Sequence, residues 1–422
     1  MAEWFRVIDL PENTRITFKP SCDRFWPPDV LGRFPLPREK MRGRHIVLDG
    51  AGAVWMYAHA AALAGAEHAC DATVDRKGKN EAEDSLVGCR CELLPKDGLR
   101  SERLLYMSLR ATPAVADAAV RKLVARQLDA LRDTPPRDLV LAGRAGVDLY
   151  ARAAYTAVKA GVRRVFCWSA RDGLILVYDA DGASLGRVEN MPSWLEEHFP
   201  KPSRSIVVGV AGDPNRGKSV FSRVLDWDRA KKGIDGWMLD CDGQSPTPRW
   251  YLAGLSSEEA EQVNALRDEC KRDWTPSMEA LIASQLRRAR RWFDVLIADL
   301  PGGKHNQKPP QRIPAGREQM FREIDALILL DDEENSTESH WRRALSVHGL
   351  EDRIAVVLRS GSPWDIPATL TLESLEGVCR GRITGLNRGR DPSELGREMQ
   401  DSLDAIWQAV MASAEHNRPR QF

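Results

Sequence analysis

The stretch Ser205-Ile-Val-Val-Gly-Val-Ala-Gly-Asp-Pro-Asn-Arg-Gly-Lys-Ser219 decides how the C-terminal half of this 422-residue chain folds. It begins as an apolar strand, enters the pattern Gly-x-x-x-x-Gly-Lys-Ser and continues into a helix-like segment over residues 220–225. A strand before the pattern and a helix after it are the context that a phosphate-binding P-loop needs. In such a loop, successive backbone N–H groups surround a polyphosphate and the helix N-terminus adds partial positive charge.

Each residue of this pattern has an expected role. Lys218 is expected to reach the β- and γ-phosphates, and Ser219 is expected to hold Mg²⁺. The predicted cofactors are therefore ATP and Mg²⁺. The remaining nucleotide-binding residues predicted in the pattern are Gly212, Asp213, Pro214, Asn215, Arg216 and Gly217.

Two further strands end in acidic residues. The apolar segment 293–298 runs into Asp299, which is expected to orient Mg²⁺ and act in catalysis, while Gly302 is expected near the γ-phosphate. The segment Trp237-Met-Leu-Asp-Cys-Asp242 places two carboxylates at the carboxyl edge of a parallel sheet, where nucleotide crevices form. Asp240 or Asp242 is then a base, a water-orienting group or a solvated loop carboxylate.

The N-terminal half contains an internal repeat. Residues 46–61 match residues 139–154 at an offset of 93, with eight of sixteen positions identical. Each copy has the pattern of a strand, a Gly-containing turn and an Ala-rich helix. Two copies side by side imitate a two-fold dimer, whose natural binding site is the cleft between them.

The predicted fold class is α/β, with two tandem small α/β domains followed by a parallel-sheet P-loop NTPase domain. Strands that alternate with helices favour a parallel sheet covered on both faces. The Gly/Arg-rich stretch 380–390 is either an anion-binding loop or a mobile solvated segment. The predicted boundaries are 1–98 and 99–188 for the two copies, 189–204 for a linker and 205–422 for the NTPase domain.

Composition narrows the choice of partners and compartment. Lys+Arg and Asp+Glu both number 61, and this balance disfavours a protein that coats long nucleic acid. The eight cysteines form no tetrahedral metal set, which is typical of reduced cytosolic thiols. The N-terminus lacks a signal pattern and no apolar run has membrane-spanning length. We therefore expect a soluble, cytoplasmic protein without a membrane partner.

Motifs along nearly the whole chain resemble a CRISPR-associated family, the Csx-three-type ring nuclease in the version fused to a P-loop ATPase. In the first repeat copy, the similar segments are Phe5-Arg-Val-Ile-Asp9, Ile46-Val-Leu-Asp-Gly-Ala-Gly-Ala-Val-Trp55-Met-Tyr and Asp75-Arg76-Lys77-Gly78. In the C-terminal half, they are Gly-Asp-Pro-Asn-Arg-Gly-Lys-Ser-Val, Cys241-Asp242-Gly243 with Trp250, Arg272-Asp-Trp274-Thr, Asp299-Leu-Pro-Gly-Gly, Asp325-Ala-Leu-Ile-Leu-Leu and Trp341.

The resemblance implies a protein of type III CRISPR defence. Relatives bind a cyclic oligoadenylate, typically cyclic tetra-adenylate, between two copies of the small domain and cleave it with the help of Mn²⁺. It implies that Asp75 is catalytic and a Mn²⁺ ligand, with His59 as a second catalytic residue one turn before the family's helix His. The residues expected to bind the cyclic oligoadenylate are Gly50, Gly52, Arg76, Lys77, Gly143, Arg144 and Arg171.

Several alternatives stay open. Because Ser169 stands where the family has Asp, one composite site around Asp75 is expected, with tight binding and slow cleavage. The N-terminal module is then either a phosphodiesterase or a sensor that gates the ATPase. The rival hypothesis is a P-loop kinase or a partition-type cargo ATPase whose repeat is only an interaction module. The sequence leaves the ring size of the ligand and the formation of a homo-oligomer open.

Overall fold

The computed structural model divides the chain into two compact units, Met1–Phe199 and Pro200–Phe422. The residues it describes are 5–19, 27–50, 52–75, 90–95, 101–108, 118–143, 145–182, 185–199, 202, 204–242, 256–257, 260–261, 264–265, 268, 273–305, 308–374 and 377–417.

The first unit contains two sheets. The four-stranded sheet has the order β1-β2-β3-β4, formed by β1 (Phe5–Asp9), β2 (Asn13–Phe18), β3 (His45–Gly50) and β4 (Asp71–Val74). The six-stranded sheet has the order β10-β9-β8-β7-β6-β5, formed by β5 (Arg90–Leu94), β6 (Glu102–Ser108), β7 (Asp138–Ala142), β8 (Arg164–Ser169), β9 (Gly173–Asp179) and β10 (Val188–Glu189). Its helices are α1 (Val54–Ala66), α2 (Ala118–Asp133), α3 (Val147–Lys159) and α4 (Ser193–Glu196), with 3₁₀ helices at Pro28–Arg33 and Arg38–Lys40.

The sequence repeat corresponds to equivalent elements in the two sheets. Helix α1 begins at Val54 and α3 begins at Val147, 93 positions later. In each case the helix connects two parallel neighbours, β3 to β4 and β7 to β8. The repeated pattern therefore encodes the same strand–helix–strand unit twice.

Helices α1 and α3 pack directly against each other because the side chains between them are small. Both helices carry buried alanines, including Ala61 and Ala154. A Cβ on Gly65 would lie 2.9 Å from the main-chain oxygen of Tyr155. The Tyr155 hydroxyl donates to the main-chain oxygen of Ala69 at 2.8 Å, which ties α3 to the end of α1. One continuous core therefore joins the two sheets of this unit.

The second unit is built on one seven-stranded sheet with the order β12-β13-β11-β14-β15-β17-β16. Its strands are β11 (Ile206–Gly212), β12 (Gly236–Asp240), β13 (Val295–Asp299), β14 (Ala326–Asp332), β15 (Ile354–Ser360), β16 (Leu370–Ser374) and β17 (Cys379–Ile383). Its helices are α5 (Lys218–Lys231), α6 (Pro276–Ala289), α7 (Glu318–Arg322), α8 (Glu338–Ser346), α9 (Pro392–Glu398) and α10 (Gln400–His416), with a 3₁₀ helix at Glu351–Arg353.

The sheet is parallel except for β16, which pairs antiparallel with β17. All seven residues of β11 are buried, as expected for a central strand covered on both faces. The stretch 380–390 was expected to be a loop or a mobile segment, but its first part lies in β17. Arg380 and Arg382 are paired there with Glu338 and Glu333.

The predicted α/β class is confirmed at the level of a mixed α/β structure whose sheets all contain parallel strands. Within the described ranges, no helix has the length and apolar character needed to cross a membrane.

Candidate functional site

Residues 212–219, which we call the 212–219 loop, run from the last residue of β11 into the first turn of α5, and their backbone requires glycine at two positions. Gly212 has a φ of 142°, and a Cβ there would collide with the main-chain oxygen of Leu330. Gly217 caps α5 with a φ of 81°, and a Cβ there would lie 2.6 Å from a side-chain carbon of Leu386. Both glycines of the sequence pattern are therefore explained by the close approach of neighbouring elements.

Asp213 anchors this loop to the rest of the unit. Its carboxylate accepts hydrogen bonds from Arg312 Nε at 3.0 Å and Arg312 Nη2 at 2.8 Å. Trp341 Nε1 donates to the same carboxylate at 2.8 Å. Arg312 is only 7% exposed, so this is a largely desolvated, bidentate ion pair. The carboxylate of Asp213 is thus occupied by protein donors, and its expected part in nucleotide binding is limited to its main chain.

Neighbouring strands hold the rest of the loop. Ser360 at the end of β15 donates its hydroxyl to the main-chain oxygen of Arg216 at 3.1 Å. The guanidinium of Arg216 pairs with Asp332 at the end of β14, with 2.6 Å between the nitrogen and the oxygen. Pro214 packs against Gly302, where a Cβ would lie 2.8 Å from the proline ring. The loop is therefore fixed on both sides of β11.

Lys218 is the first residue of α5 and its ammonium group is turned back onto the loop. Nζ donates to the main-chain oxygen of Asp213 at 2.8 Å. Burial lowers the pKa of Lys218, whereas the charges of Asp299, Asp242 and Asp213 act in the opposite direction. Of these carboxylates, Asp299 ends β13 and Asp242 follows β12, so the Lys218 ammonium interacts with the acidic ends of both strands.

Asp299 is a buried carboxylate at the end of β13, with 4% of its surface exposed. Burial and the neighbouring charge of Asp240 raise its pKa to about 7, although a hydrogen bond from Ser219 and the charge of Lys218 oppose the shift. Asp240 lies directly beside Asp299 in the register of β12 and β13. The structure therefore brings Ser219, Asp299 and Asp240 together.

These oxygen donors fit Mg²⁺, which is usually bound through one or two carboxylates together with the phosphates of a substrate and water. A cation beside Asp299 would offset the cost of ionising this buried carboxylate. Among the residues that the structure describes, no three His, Cys, Asp or Glu side chains form a ready metal cluster.

Two arginines near this site were not identified from the sequence. Arg223 lies one turn after Ser219 on α5, and burial lowers its pKa to about 10 while Asp299 and Asp240 act against that shift. The positive charge of Arg388, which follows β17, acts on both Lys218 and Arg223. The position of Arg223 on the same face as Ser219 was the available signal, whereas Arg388 gave none beyond its place in the 380–390 stretch.

The sheet topology places this site where the order in which strands are added switches from one side of β11 to the other. From β11 the chain moves to β12 and returns to β13 beside β11, and it then places β14 and β15 on the other side. In open parallel sheets, ligands bind outside the carboxyl ends of the strands at such a switch point. The 212–219 loop lies at this switch point.

In the first unit, Asp75 is exposed and follows β4. Arg15 Nη1 donates to Asp75 Oδ2 at 2.6 Å and to Asp49 Oδ2 at 2.6 Å. Two carboxylates at the ends of adjacent strands β3 and β4 therefore share one guanidinium. Asp49 and Arg15 were not expected in this site, and an Arg between two acidic residues in parallel strands is visible only once the register is known.

His59 lies inside the core of the first unit. It is 3% exposed, and its Nδ1 lies 2.7 Å from the main-chain oxygen of Val177. Burial lowers its pKa to about 4. A catalytic base must contact its substrate, so this placement argues against the catalytic role expected for His59 and favours a structural one.

The other predicted site residues of the first unit lie in different surroundings, and three of them are outside the described residues. A Cβ on Gly52 would lie 2.9 Å from the Phe18 ring, and one on Gly143 would collide with the main chain of Met107. Gly50 is the last residue of β3. Arg171 pairs with Asp172, with 2.7 Å between nitrogen and oxygen. Arg76, Lys77 and Arg144 lie outside the described residues.

No family model and no curated protein matches the chain. Among solved structures, the chain is similar to the signal recognition particle receptor FtsY from Elizabethkingia anophelis, at 13% identity and a TM-score of 0.25. The match covers 49% of this chain and 68% of that one. A likeness at this level says nothing of what this chain does.

Asp213→Ala tests the anchor of the loop. The change leaves the nearly buried guanidinium of Arg312 without its counter-charge, so we expect a loss of about 3–5 kcal/mol in the free energy of unfolding. Trp341→Phe removes only one neutral donor to the same carboxylate and should cost about 1–2 kcal/mol. Urea denaturation measures both variants. Equal losses for the two would contradict the anchoring role of the ion pair.

Asp299→Asn tests the burial of the carboxylate through the pH dependence of stability. The pKa of Asp299 rises from 3.8 to about 7 in the folded state, so folding stability falls as pH rises through this window. Asn cannot ionise. We therefore expect the free energy of unfolding of the variant, relative to that of the wild type, to rise by at least about 1 kcal/mol between pH 5 and pH 8. Denaturation without divalent cations measures this, and a pH-independent difference would rule it out.

Proposed function

We propose that the C-terminal unit binds and hydrolyses a nucleoside triphosphate, with ATP as the expected substrate. The observation that carries this proposal is the 212–219 loop, which is fixed at the topological switch point and whose Ser219 is hydrogen-bonded to the buried Asp299. Backbone N–H groups of such a loop and the N-terminus of the 14-residue α5 offer donors to a polyphosphate.

Each side chain of the site then has a separate role in binding or hydrolysis. Lys218 exchanges its main-chain acceptor on Asp213 for the β- and γ-phosphate oxygens, which carry full charge. Ser219 and Asp299 would hold Mg²⁺, which neutralises charge on the phosphates when it is bound. Asp240, at the end of β12, and Asp242, two residues later, would orient the attacking water. Arg223 supplies a buried positive charge beside the carboxylates and limits their mutual repulsion.

We further propose that the N-terminal unit binds a cyclic oligoadenylate, as an accessory protein of type III CRISPR defence. This rests on the family resemblance, and the exposed Asp75 beside Asp49 and Arg15 supports it. Ring opening by a ribose 2′-hydroxyl needs a base, and proton transfers of this kind contribute about 10²–10⁴-fold. Because His59 is buried, Asp75 is the base or metal ligand that is left, and cleavage is slow relative to binding.

Lys218→Ala is the direct test of the nucleotide proposal. The variant loses a charge-assisted contact of about 2–3 kcal/mol, so ATP affinity or turnover should fall at least about tenfold. Lys231→Ala is the matched control, because Lys231 is an exposed lysine at the end of the same helix. Calorimetric binding of ATP with Mg²⁺ and release of phosphate measure the two effects. Unchanged turnover in the Lys218 variant would overturn the assignment.

Labelled cyclic tetra-adenylate tests the proposal for the N-terminal unit. We expect tight binding and slow cleavage that is faster with Mn²⁺, and Asp75→Ala should abolish cleavage while binding is nearly intact. Asp181→Ala, which removes an exposed carboxylate of the same unit, should leave both unchanged.

Two results would contradict the proposal for the N-terminal unit. Failure to bind any cyclic oligoadenylate would favour a kinase or a cargo ATPase whose N-terminal unit is an interaction module. Rapid cleavage that survives Asp75→Ala would place the active centre elsewhere.

A further inference from the structure

Two loops at the carboxyl edge of the seven-stranded sheet lie side by side. We call residues 361–369, after β15, and residues 384–391, after β17, the edge loops. Gly361 N donates to Ile383 O at 2.9 Å, and Gly385 N donates to Ser362 O at 2.8 Å. The hydroxyls of Thr369 and Thr384 lie 3.0 Å apart. The edge loops are therefore fixed to each other by main-chain and side-chain hydrogen bonds.

The edge loops adjoin the 212–219 loop directly. Leu386 packs against the position where Gly217 has no Cβ, and Ser360, immediately before the first edge loop, donates to the main chain of Arg216. The charge of Arg388 reaches Lys218. A ligand seated on the 212–219 loop therefore meets the edge loops on the β15 side.

Trp364 stands on the first edge loop with 75% of its surface exposed, and Ile366 beside it is 79% exposed. Of the large apolar side chains that are exposed in the described part of the chain, Trp364 is the aromatic one. Its loop is anchored at both ends, through Gly361 and through Thr369. An exposed indole on a fixed loop offers a flat, preformed stacking surface.

The position of the acidic residues orients a nucleotide in this crevice. Asp299 and Asp240 end β13 and β12, so the metal ion and the terminal phosphates belong on that side of β11. The base, at the other end of the nucleotide, then points toward β15 and the edge loops. We propose that the edge loops form the base subsite and that Trp364 stacks on the purine ring. This inference rests on the proposed binding of a nucleoside triphosphate to this unit.

Binding of ATP and of inorganic tripolyphosphate, both with Mg²⁺, separates the base from the phosphates. In Trp364→Ala, ATP affinity should fall between about fivefold and 150-fold, the loss of one base–aromatic stack of about 1–3 kcal/mol. Tripolyphosphate affinity should not change, and Trp364→Phe should restore most of the ATP affinity. Val347→Ala, which removes another side chain that is 75% exposed, is the matched control and should bind ATP as the wild type does.

The outcomes separate this inference from the proposal on which it rests. If the wild type binds neither ATP nor tripolyphosphate, the nucleotide proposal itself fails. If the wild type binds ATP and Trp364→Ala binds it equally well, the base subsite is wrong and the exposed indole serves another partner. A parallel loss of ATP and tripolyphosphate affinity would also overturn the subsite, because Trp364 would then act on the phosphate loop.

Discussion

The ion pair between Asp213 and Arg312 is the contact on which the arrangement of the C-terminal site depends. Asp213 stands inside a loop whose backbone N–H groups are expected to face an anion, where a free carboxylate would repel the ligand. The two hydrogen bonds from Arg312 and one from Trp341 remove that repulsion and fix the loop at the same time. With Asp213 held, Asn215 and Gly217 keep the left-handed backbone conformations that lead the chain into α5.

The site combines carboxylates and cations, and of these Asp299 and Arg223 are buried. Asp299 is the clearest case, because its pKa of about 7 means that the folded protein disfavours the charged form on which metal binding depends. Lys218 and Arg223 oppose this cost only in part, since burial lowers the pKa of both cations as well. A bound cation and a polyphosphate would each supply charge that this arrangement can use. Strain of this kind is typical of functional sites, which trade stability for activity.

Local patterns predicted the parts of the structure that depend on neighbours in sequence. The 93-residue offset of the repeat is the spacing of α1 and α3, and the strand before Asp299 lies where its apolar pattern indicated. Contacts between distant residues could not be predicted in this way. Arg312 and Trp341 are 99 and 128 positions from Asp213, and the pairing of β17 with β15 gives no local signal in a Gly/Arg-rich stretch. The burial of His59 likewise depends on β9, 118 positions away.

The two copies of the repeat in the first unit have equivalent helices but different residues at the ends of their strands. Helices α1 and α3 use their small side chains to pack against each other. His59 on α1 is withdrawn from solvent against β9, where its ring lies beside the main-chain oxygen of Val177. Of the two residues that the resemblance implies are catalytic in this unit, Asp75 at a strand end is exposed whereas His59 is buried. Asp49 and Asp75 end two adjacent strands and share Arg15, whereas the second copy has Ala142 at the position equivalent to Asp49. The site that we propose around Asp75 is therefore built on strand ends of the first copy.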